Sequence, residues 1–232
     1  MFKRIVIAAF ALSLASCVIP THRPSAPRAL PTAVASVSLP PAGTYAIDSS
    51  GSELRLLIYR AGPLAALGHN HVVVSRSVTG VVQVGATVAE SSFSLTVPVE
   101  SFVVDESQAR REEGDDFPGD IPRDAKLGTR RNMLSSALLD AEHFPTITVT
   151  CITLSGGTPE DPVAELTVHV AGHEAKLSAP FHLQGNAYRI VATGTMELRQ
   201  SALGLTPHSL LHGALQVEDA MQLKFSLAVP IS

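Results

Sequence analysis

The sequence predicts an all-β fold with one helix, arranged as a closed antiparallel barrel or as a sandwich of roughly eight strands. Apolar and polar residues alternate in a succession of runs, and this period of two is typical of strands with one buried face. One segment interrupts the alternation with concentrated charge, and an apolar stripe of helical spacing follows it. Hydrophobic residues make up 45% of the 232 residues, which supplies a core and excludes an intrinsically disordered chain.

The clearest strand is the run from Ser92 to Val99, where apolar residues occupy every second position. The other alternating runs are Leu54 to Ile58, Val72 to Val84, Ile147 to Cys151, Leu166 to Val170, Leu177 to Leu183, Ile190 to Leu198 and Leu223 to Val229. Small residues interrupt the apolar faces at Ala179, Ala192 and Gly194. A barrel of about eight strands is either filled by side chains or holds one ligand, and small interior residues favour a ligand.

The charged segment spans residues 105–131 and contains 14 of the chain's 38 charged residues. Because both signs are mixed, we expect a solvated helical or loop excursion. Its acidic residues do not have the spacing of a calcium loop. Leu127, Leu134 and Leu138 then recur at helical spacing, which predicts the single helix from about Ala125 to Asp140.

Composition argues against several functions. The formal net charge is −4 and no basic stripe recurs, so the sequence predicts no nucleic-acid partner. The chain has no Trp and only 5% aromatic residues, which disfavours a base-stacking platform or a sugar-binding cleft. No familiar hydrolase, zinc-protease, redox or nucleotide-binding motif occurs. We therefore expect a non-catalytic protein without a cofactor.

The N-terminus has the features of a bacterial secretory signal over residues 1–16. A basic pair precedes an apolar run of about 10 residues, which is shorter than the ~20 residues that a membrane-spanning helix needs. The tetrapeptide that ends at Cys17 resembles the bacterial lipobox, which implies that Cys17 is acylated and becomes the mature N-terminus. Val18 follows where Asp would mark retention in the inner membrane, and this favours the outer membrane.

The mature chain then divides into two parts. Residues 17–42 are rich in proline and predict a tether, and residues 43–232 carry the alternating runs and predict the folded domain. The only cysteine besides Cys17 is Cys151, so no intramolecular disulfide is expected. An inert buried thiol is the favoured interpretation of Cys151, because it lies in an alternating run with no evident base beside it.

The sharpest polar cluster is Gly68-His69-Asn70-His71 at the start of a strand. In extended chain His69 and His71 point to the same side. Three interpretations remain open: polar residues at the barrel rim, contacts to a lipid headgroup, or two ligands of a metal site. A metal would need a third ligand, for example His143, His208 or His212, and the sequence alone does not bring one near.

Several stretches resemble the YceI-like family of periplasmic lipid-binding proteins. They are Tyr45 to Asp48, the strand Leu54 to Ile58, the helix and strand from Asn132 to Ile147, Glu165 to Gly172, and Met196 to Gly204. The resemblance implies an extended lipocalin-like eight-stranded antiparallel β-barrel with a helix, whose lumen takes an isoprenoid or quinone-like lipid. The charged excursion is not part of the family's basic pattern.

From the resemblance and the strand periodicity together we expect an apolar lumen and a polar rim. The lumen candidates are Leu56, Ile58, Val82, Phe93, Leu95, Val97, Phe181 and Phe225, and the rim candidates for a headgroup are His69 and His71. The expected function is that of a lipid-anchored envelope protein on the periplasmic face that carries, stores or sequesters an isoprenoid or similar amphiphile. The alternatives are a filled-barrel interaction protein and a His-dependent metal protein or enzyme at the rim.

Overall fold

The computed structural model describes residues 39–186 and 188–231. This part of the chain contains thirteen strands and two α-helices. The strands are β1 (Gly43–Ala46), β2 (Glu53–Ala61), β3 (His71–Ser75), β4 (Thr79–Val84), β5 (Ser92–Pro98), β6 (Val103–Val104), β7 (Thr146–Gly157), β8 (Pro162–Val170), β9 (His173–Pro180), β10 (His182–Gly185), β11 (Arg189–Arg199), β12 (Ser209–Leu210) and β13 (Leu215–Pro230). The helices are α1 (Ser107–Glu112) and α2 (Arg123–Leu134).

The strands form two sheets in which every pairing is antiparallel. The first sheet has the order β1-β4-β5-β7-β8-β9. The second has the order β10-β11-β13-β2-β3-β6, with β12 paired to β13. The all-β class and the antiparallel pairing are confirmed. The described strands form two sheets, and the closed eight-stranded barrel that the family resemblance implies is not detected among them.

The chain passes between the sheets at short corners that a period of two does not reveal. Phe181 alone separates β9 in the first sheet from β10 in the second. The run from Val72 to Val84 looks continuous in sequence, yet it contains β3 in the second sheet and β4 in the first. Near another corner, the Asp48 amide donates to the Ala228 carbonyl at 2.8 Å. Periodicity reports which face of a strand is buried, whereas sheet membership depends on distant pairing.

The charged segment forms a second layer on the outer face of β2 and β3. Leu57, Val72 and Val74 point away from the space between the sheets, and Ala109 and Phe117 of the charged segment cover them. Arg110 of α1 is only 1% exposed and Asp105 is fully buried. The expectation of a solvated excursion is therefore wrong for these residues, because an apolar outer face of the sheet needs a cover.

Ion pairs fix both ends of α1 to the second sheet and its flanking residues. Arg55 of β2 donates to Glu112 and to Glu113, each at 2.8 Å. Lys224 of β13 also pairs with Glu113, and Arg76 pairs with Glu106 at 2.8 Å. Burial would raise the pKa of Glu113, but hydrogen bonds from Lys224 and Arg55 hold it below its usual value. Several charges of this segment, among them Glu106, Glu112 and Glu113, thus bind it to the domain.

The second helix is shorter than the sequence predicts. It begins two residues before Ala125 and ends at Leu134, because the Ser135 hydroxyl donates to the Asn132 carbonyl at 2.8 Å while its own backbone turns to the extended region. Leu127, expected on the apolar stripe, is 48% exposed. The inner side of the helix is instead marked by Met133. Within residues 39–186 and 188–231, neither helix has the length and apolar character needed to cross a bilayer.

Candidate functional site

Two cavities lie between the two sheets, and a third adjoins them between the second sheet and α2. The mouth cavity has a volume of about 290 Å³, the inner cavity about 200 Å³ and the end cavity about 90 Å³. Met133 lies in the wall of both the mouth and inner cavities, while Leu95 and Leu227 line both the inner and end cavities. The long strand β13 runs past all three, from Leu215 at the mouth to Val229 at the end. The cavities therefore lie in a row along β13, and we call this row the path.

The inner cavity is lined by apolar side chains alone, which come from both sheets. Leu54, Leu56 and Phe225 point into it and are only half-buried, because they border open space. On the opposite face of the same sheet, Val72 and Val74 are almost completely buried under the charged segment. The space between the sheets is thus less filled than the layer outside it, and its walls suit a hydrocarbon ligand.

The structure places the residues proposed from the sequence along this path. Leu56, Val97 and Phe225 line the inner cavity, and Leu95 lies at its junction with the end cavity. The remaining apolar candidates and the two histidines are distributed as follows: Val82, Phe93 and Phe181 line the end cavity, while Ile58, His69 and His71 line the mouth cavity. Contact of these residues with a ligand stays a prediction. Cys17 lies outside the described residues.

At the mouth, His71 is held by a buried carboxylate. Its Nδ1 lies 2.6 Å from Oδ2 of Asp105, which follows β6 on the neighbouring strand. A carboxylate only accepts hydrogen bonds, so Nδ1 carries the proton and Nε2 is the ring nitrogen available to a ligand. The His69 ring lies on the same side of the chain, with its centroid 6.3 Å from that of His71. The alternation expected for this pair therefore holds in the structure.

Asp105 is compensated by Arg110 of α1. Oδ1 accepts from Nη1 of Arg110 at 2.7 Å and from the Val72 amide at 3.0 Å. Burial would raise the pKa of Asp105, but hydrogen bonds and the charge of His71, with help from Val72 and Arg110, hold it below its usual value. Arg110 also donates to the carbonyls of Asn70, Pro118 and Gly119. The network fixes the orientation of the His71 imidazole.

Other polar side chains complete the mouth. Arg60 donates to the Gly68 carbonyl at 2.6 Å, and the Asn132 amide of α2 lies 3.5 Å from Nε2 of His208. Among the described residues that line this cavity, none is Asp or Glu. The mouth therefore combines hydrogen-bond donors and positive charge with an apolar floor, an arrangement suited to an acceptor or anionic headgroup.

Sequence reasoning missed Asp105 and Arg110 as parts of this site. Both lie in the segment interpreted as solvated, and their burial depends on packing against β3 that the local sequence does not specify. Asp105 also adopts a positive φ of 56°, a backbone conformation that its residue type alone does not predict. Met133 is not among the lumen candidates from the sequence, although it lines both the mouth cavity and the inner cavity.

The histidines do not converge on a metal site in the part of the chain that the structure describes, where no group of three His, Cys, Asp or Glu side chains is suitably placed. His143, one of the possible third ligands, pairs with Asp140 at 2.9 Å instead. The buried Cys151 thiol donates to the Thr153 carbonyl at 3.0 Å, and burial raises its pKa above the usual value. A raised pKa keeps it protonated and argues against a nucleophile.

Comparison with known proteins agrees with this architecture. The model of the YceI-like domain matches residues 45–229. The chain belongs to the YceI-like family. BcnA of Burkholderia cenocepacia superposes with a TM-score of 0.57 at 15% identity, covering 78% of this chain and 98% of BcnA.

A second similar structure is a polyisoprenoid-binding domain from Saccharophagus degradans that is implicated in plant cell wall breakdown. It has a TM-score of 0.52 at 14% identity and covers 80% of this chain and 97% of that domain. At these identities the two likenesses establish a shared fold. None of the curated proteins matches the sequence.

Proposed function

We propose that this YceI-like protein binds an isoprenoid or a similar amphiphilic lipid in the path between its two sheets, as a non-catalytic carrier, store or sequestering protein. The observation that carries the proposal is the series of three cavities, apolar inside and polar only at the mouth. In this proposal the hydrocarbon tail occupies the inner and end cavities, and its headgroup lies beside His69 and His71. The S. degradans domain with this fold is described as polyisoprenoid-binding, which supports the same ligand class.

The proposal includes a lipid anchor at Cys17 and a place on the periplasmic face of the bacterial envelope. Its support is the tetrapeptide before Cys17, which resembles a lipobox, and Val18 favours the outer over the inner membrane. An acylated terminus would keep the protein at the bilayer where isoprenoid lipids reside, since more than one acyl chain anchors stably.

A test is to place charge in the inner cavity. Val97 of β5 is 2% exposed and points into this cavity, so Val97→Arg puts an unpaired charge in a dry site at a cost of several kcal/mol. We expect the variant to lose its bound lipid, as measured by native mass spectrometry and by analysis of its lipid extract. Ser94→Arg on the exposed face of the same strand is the matched control and should retain the lipid.

The same measurement separates the alternatives. Bound isoprenoid in the natural protein and its loss in Val97→Arg support the carrier. Stoichiometric zinc or copper without lipid would favour a metal protein at the rim, and neither lipid nor metal would favour an interaction protein. Full lipid content in a stable Val97→Arg variant would show that this face of β5 does not line the binding site.

A further inference from the structure

Four exposed leucines lie in the two chain segments that border the mouth cavity. Leu67 is 71% exposed, Leu211 65%, Leu210 49% and Leu64 37%. Leu67 and Leu210 also line the cavity, so the exposed apolar surface continues into it. We call these four residues the leucine rim. An isolated exposed leucine is ordinary, but a group around a ligand opening marks an interaction surface.

The leucine rim is built from the loop after β2 and from the end of β12 with the loop after it, and a hydrogen bond joins the two segments. Leu64 in the loop after β2 donates its amide to the Ala214 carbonyl at 2.8 Å in the loop after β12. In the second loop Leu211 and His212 both have positive φ, of 52° and 55°. Such conformations are unfavourable for residues with side chains and cluster at functional sites. The backbone is thus held in an uncommon conformation where Leu211 is exposed to solvent.

We propose that the leucine rim docks the mouth onto the surface of a lipid bilayer, an inference that rests on the proposed lipid-binding function. The continuity between exposed leucines and the apolar cavity identifies the partner, because a lipid that leaves a bilayer here passes along apolar side chains. The charge at the opening of the mouth cavity also suits the surface of a bilayer. Arg60, His69 and His208 line the mouth without a carboxylate, which complements the phosphate groups of a membrane surface.

The chain before the domain is long enough for this contact. Leu39 lines the end cavity, at the opposite end of the path from the leucine rim. Cys17 is 22 residues earlier, and a chain of that length spans at most about 75 Å. The 16 residues of β13, which run the length of the path, extend over about 50 Å. A protein anchored at Cys17 can therefore turn its mouth to the bilayer that holds the anchor.

The test measures which surface of the full-length protein enters a membrane. Leu67→Cys and Leu211→Cys are each labelled with an environment-sensitive fluorophore. The protein is reconstituted on vesicles of phosphatidylethanolamine and phosphatidylglycerol with brominated acyl chains. Ile152→Cys is the matched control, because Ile152 is 79% exposed on β7 and lines none of the three cavities. The natural chain, labelled in parallel, gives the background from its own cysteines.

We expect the bromines to quench both rim probes several-fold more strongly than the Ile152 probe. Equal quenching at the three positions would overturn the inference. A concentration-dependent dimer that Leu67→Ser dissociates would also overturn it by assigning the leucine rim to a second copy of the chain. Native mass spectrometry of the same samples tests the proposed function separately: bound lipid without rim quenching refutes only docking, and rim quenching without bound lipid refutes only the carrier.

Discussion

Asp105 shows how one residue connects the charged segment with the mouth. It accepts from His71 on the cavity side and from Arg110 on the α1 side, and its own amide donates to the Val72 carbonyl at 2.7 Å. The carboxylate and the guanidinium are both buried, so each depends on the other for compensation. Removing one partner leaves a buried charge without its counterion.

We predict that Asp105→Asn lowers the free energy of unfolding by about 3 kcal/mol, because Arg110 stays buried and charged. Urea unfolding followed by circular dichroism measures the loss. Asp161→Asn is the control: Asp161 pairs with His182 where both side chains are exposed, and a change of about 0–1 kcal/mol is expected. A loss at Asp105 no larger than at Asp161 would mean that the buried pair contributes little.

The effect of Asp105→Asn on the free energy of unfolding should depend on pH. The pKa of Asp105 is lower in the folded protein than the value of about 3.9 in an unfolded chain. Its stabilising contribution is therefore complete above about pH 4 and is lost as the pH falls through the folded pKa. The difference in free energy of unfolding between the natural protein and Asp105→Asn should shrink below pH 4. A constant difference across that range would contradict a lowered pKa of Asp105 in the folded protein.

For the histidine pair, we predict that His69→Ala with His71→Ala weakens binding of a prenyl phosphate by about 1–3 kcal/mol, the range for lost hydrogen bonds including charged ones. A prenyl hydrocarbon without a headgroup should lose much less, since its contacts lie deeper in the path. Titration calorimetry compares the two ligands, with exposed His169→Ala and His182→Ala as the control pair. Equal losses for both ligands would indicate a structural role for the pair.

At the scale of the element, β4 and β5 show how one glycine permits a strand pairing. Gly80 of β4 has φ of +149°, and a Cβ there would lie 2.1 Å from the carbonyl oxygen of Ser94 on β5. Glycine has no Cβ and adopts this conformation without the steric cost of other residues. The close approach keeps β5 in register, with Leu95 directed toward the inner and end cavities.

We predict that Gly80→Ala lowers the free energy of unfolding by at least about 2 kcal/mol through backbone strain and the contact with Ser94. Gly128→Ala in α2 is the matched control, because nothing lies within 4 Å of its added Cβ. Alanine suits a helix interior better than glycine, so this control should stabilise the protein by about 0.5–1 kcal/mol. Chemical denaturation of both variants measures the two opposite changes in the free energy of unfolding. An unchanged value for Gly80→Ala would show that the pairing of β4 with β5 does not require glycine at this position.

At the scale of the whole molecule, the proposed anchor and the proposed lipid site are separated in the sequence by the proline-rich segment. Residues 45–229 match the family model, whereas the proposed acyl acceptor lies 28 residues before that match begins. Localisation and lipid binding should therefore respond to different mutations.

We predict that Cys17→Ser gives a soluble or unprocessed protein, because the change removes the thiol that accepts the acyl chains. Metabolic labelling with a fatty-acid analogue and fractionation of the envelope measure the effect, and Cys151→Ser is the control for the other cysteine. Equal labelling of Cys17→Ser and the natural protein would rule out acylation at this position.

The sequence by itself determined the properties that depend on local order. The period of two predicted antiparallel β-structure, and the apolar faces of β2, β5 and β13 supplied residues that line the cavities, including Leu56, Val97 and Phe225. His69 and His71, two residues apart at the entry of β3, were expected on the same side, and their rings are neighbours. Side-chain alternation is a local property of an extended chain, so it can be read without knowledge of the fold.

Only the tertiary structure decided which strands share a sheet and which polar groups meet. Phe181 directs the chain from one sheet to the other, and Asp105, Arg110 and His71 meet although the sequence separates them by up to 39 residues. Pairing over such separations depends on total packing, because the apolar outer face of β2 and β3 must be covered by some segment. In this chain that cover is the charged segment, and burying Arg110 there places Asp105 behind the histidine at the mouth.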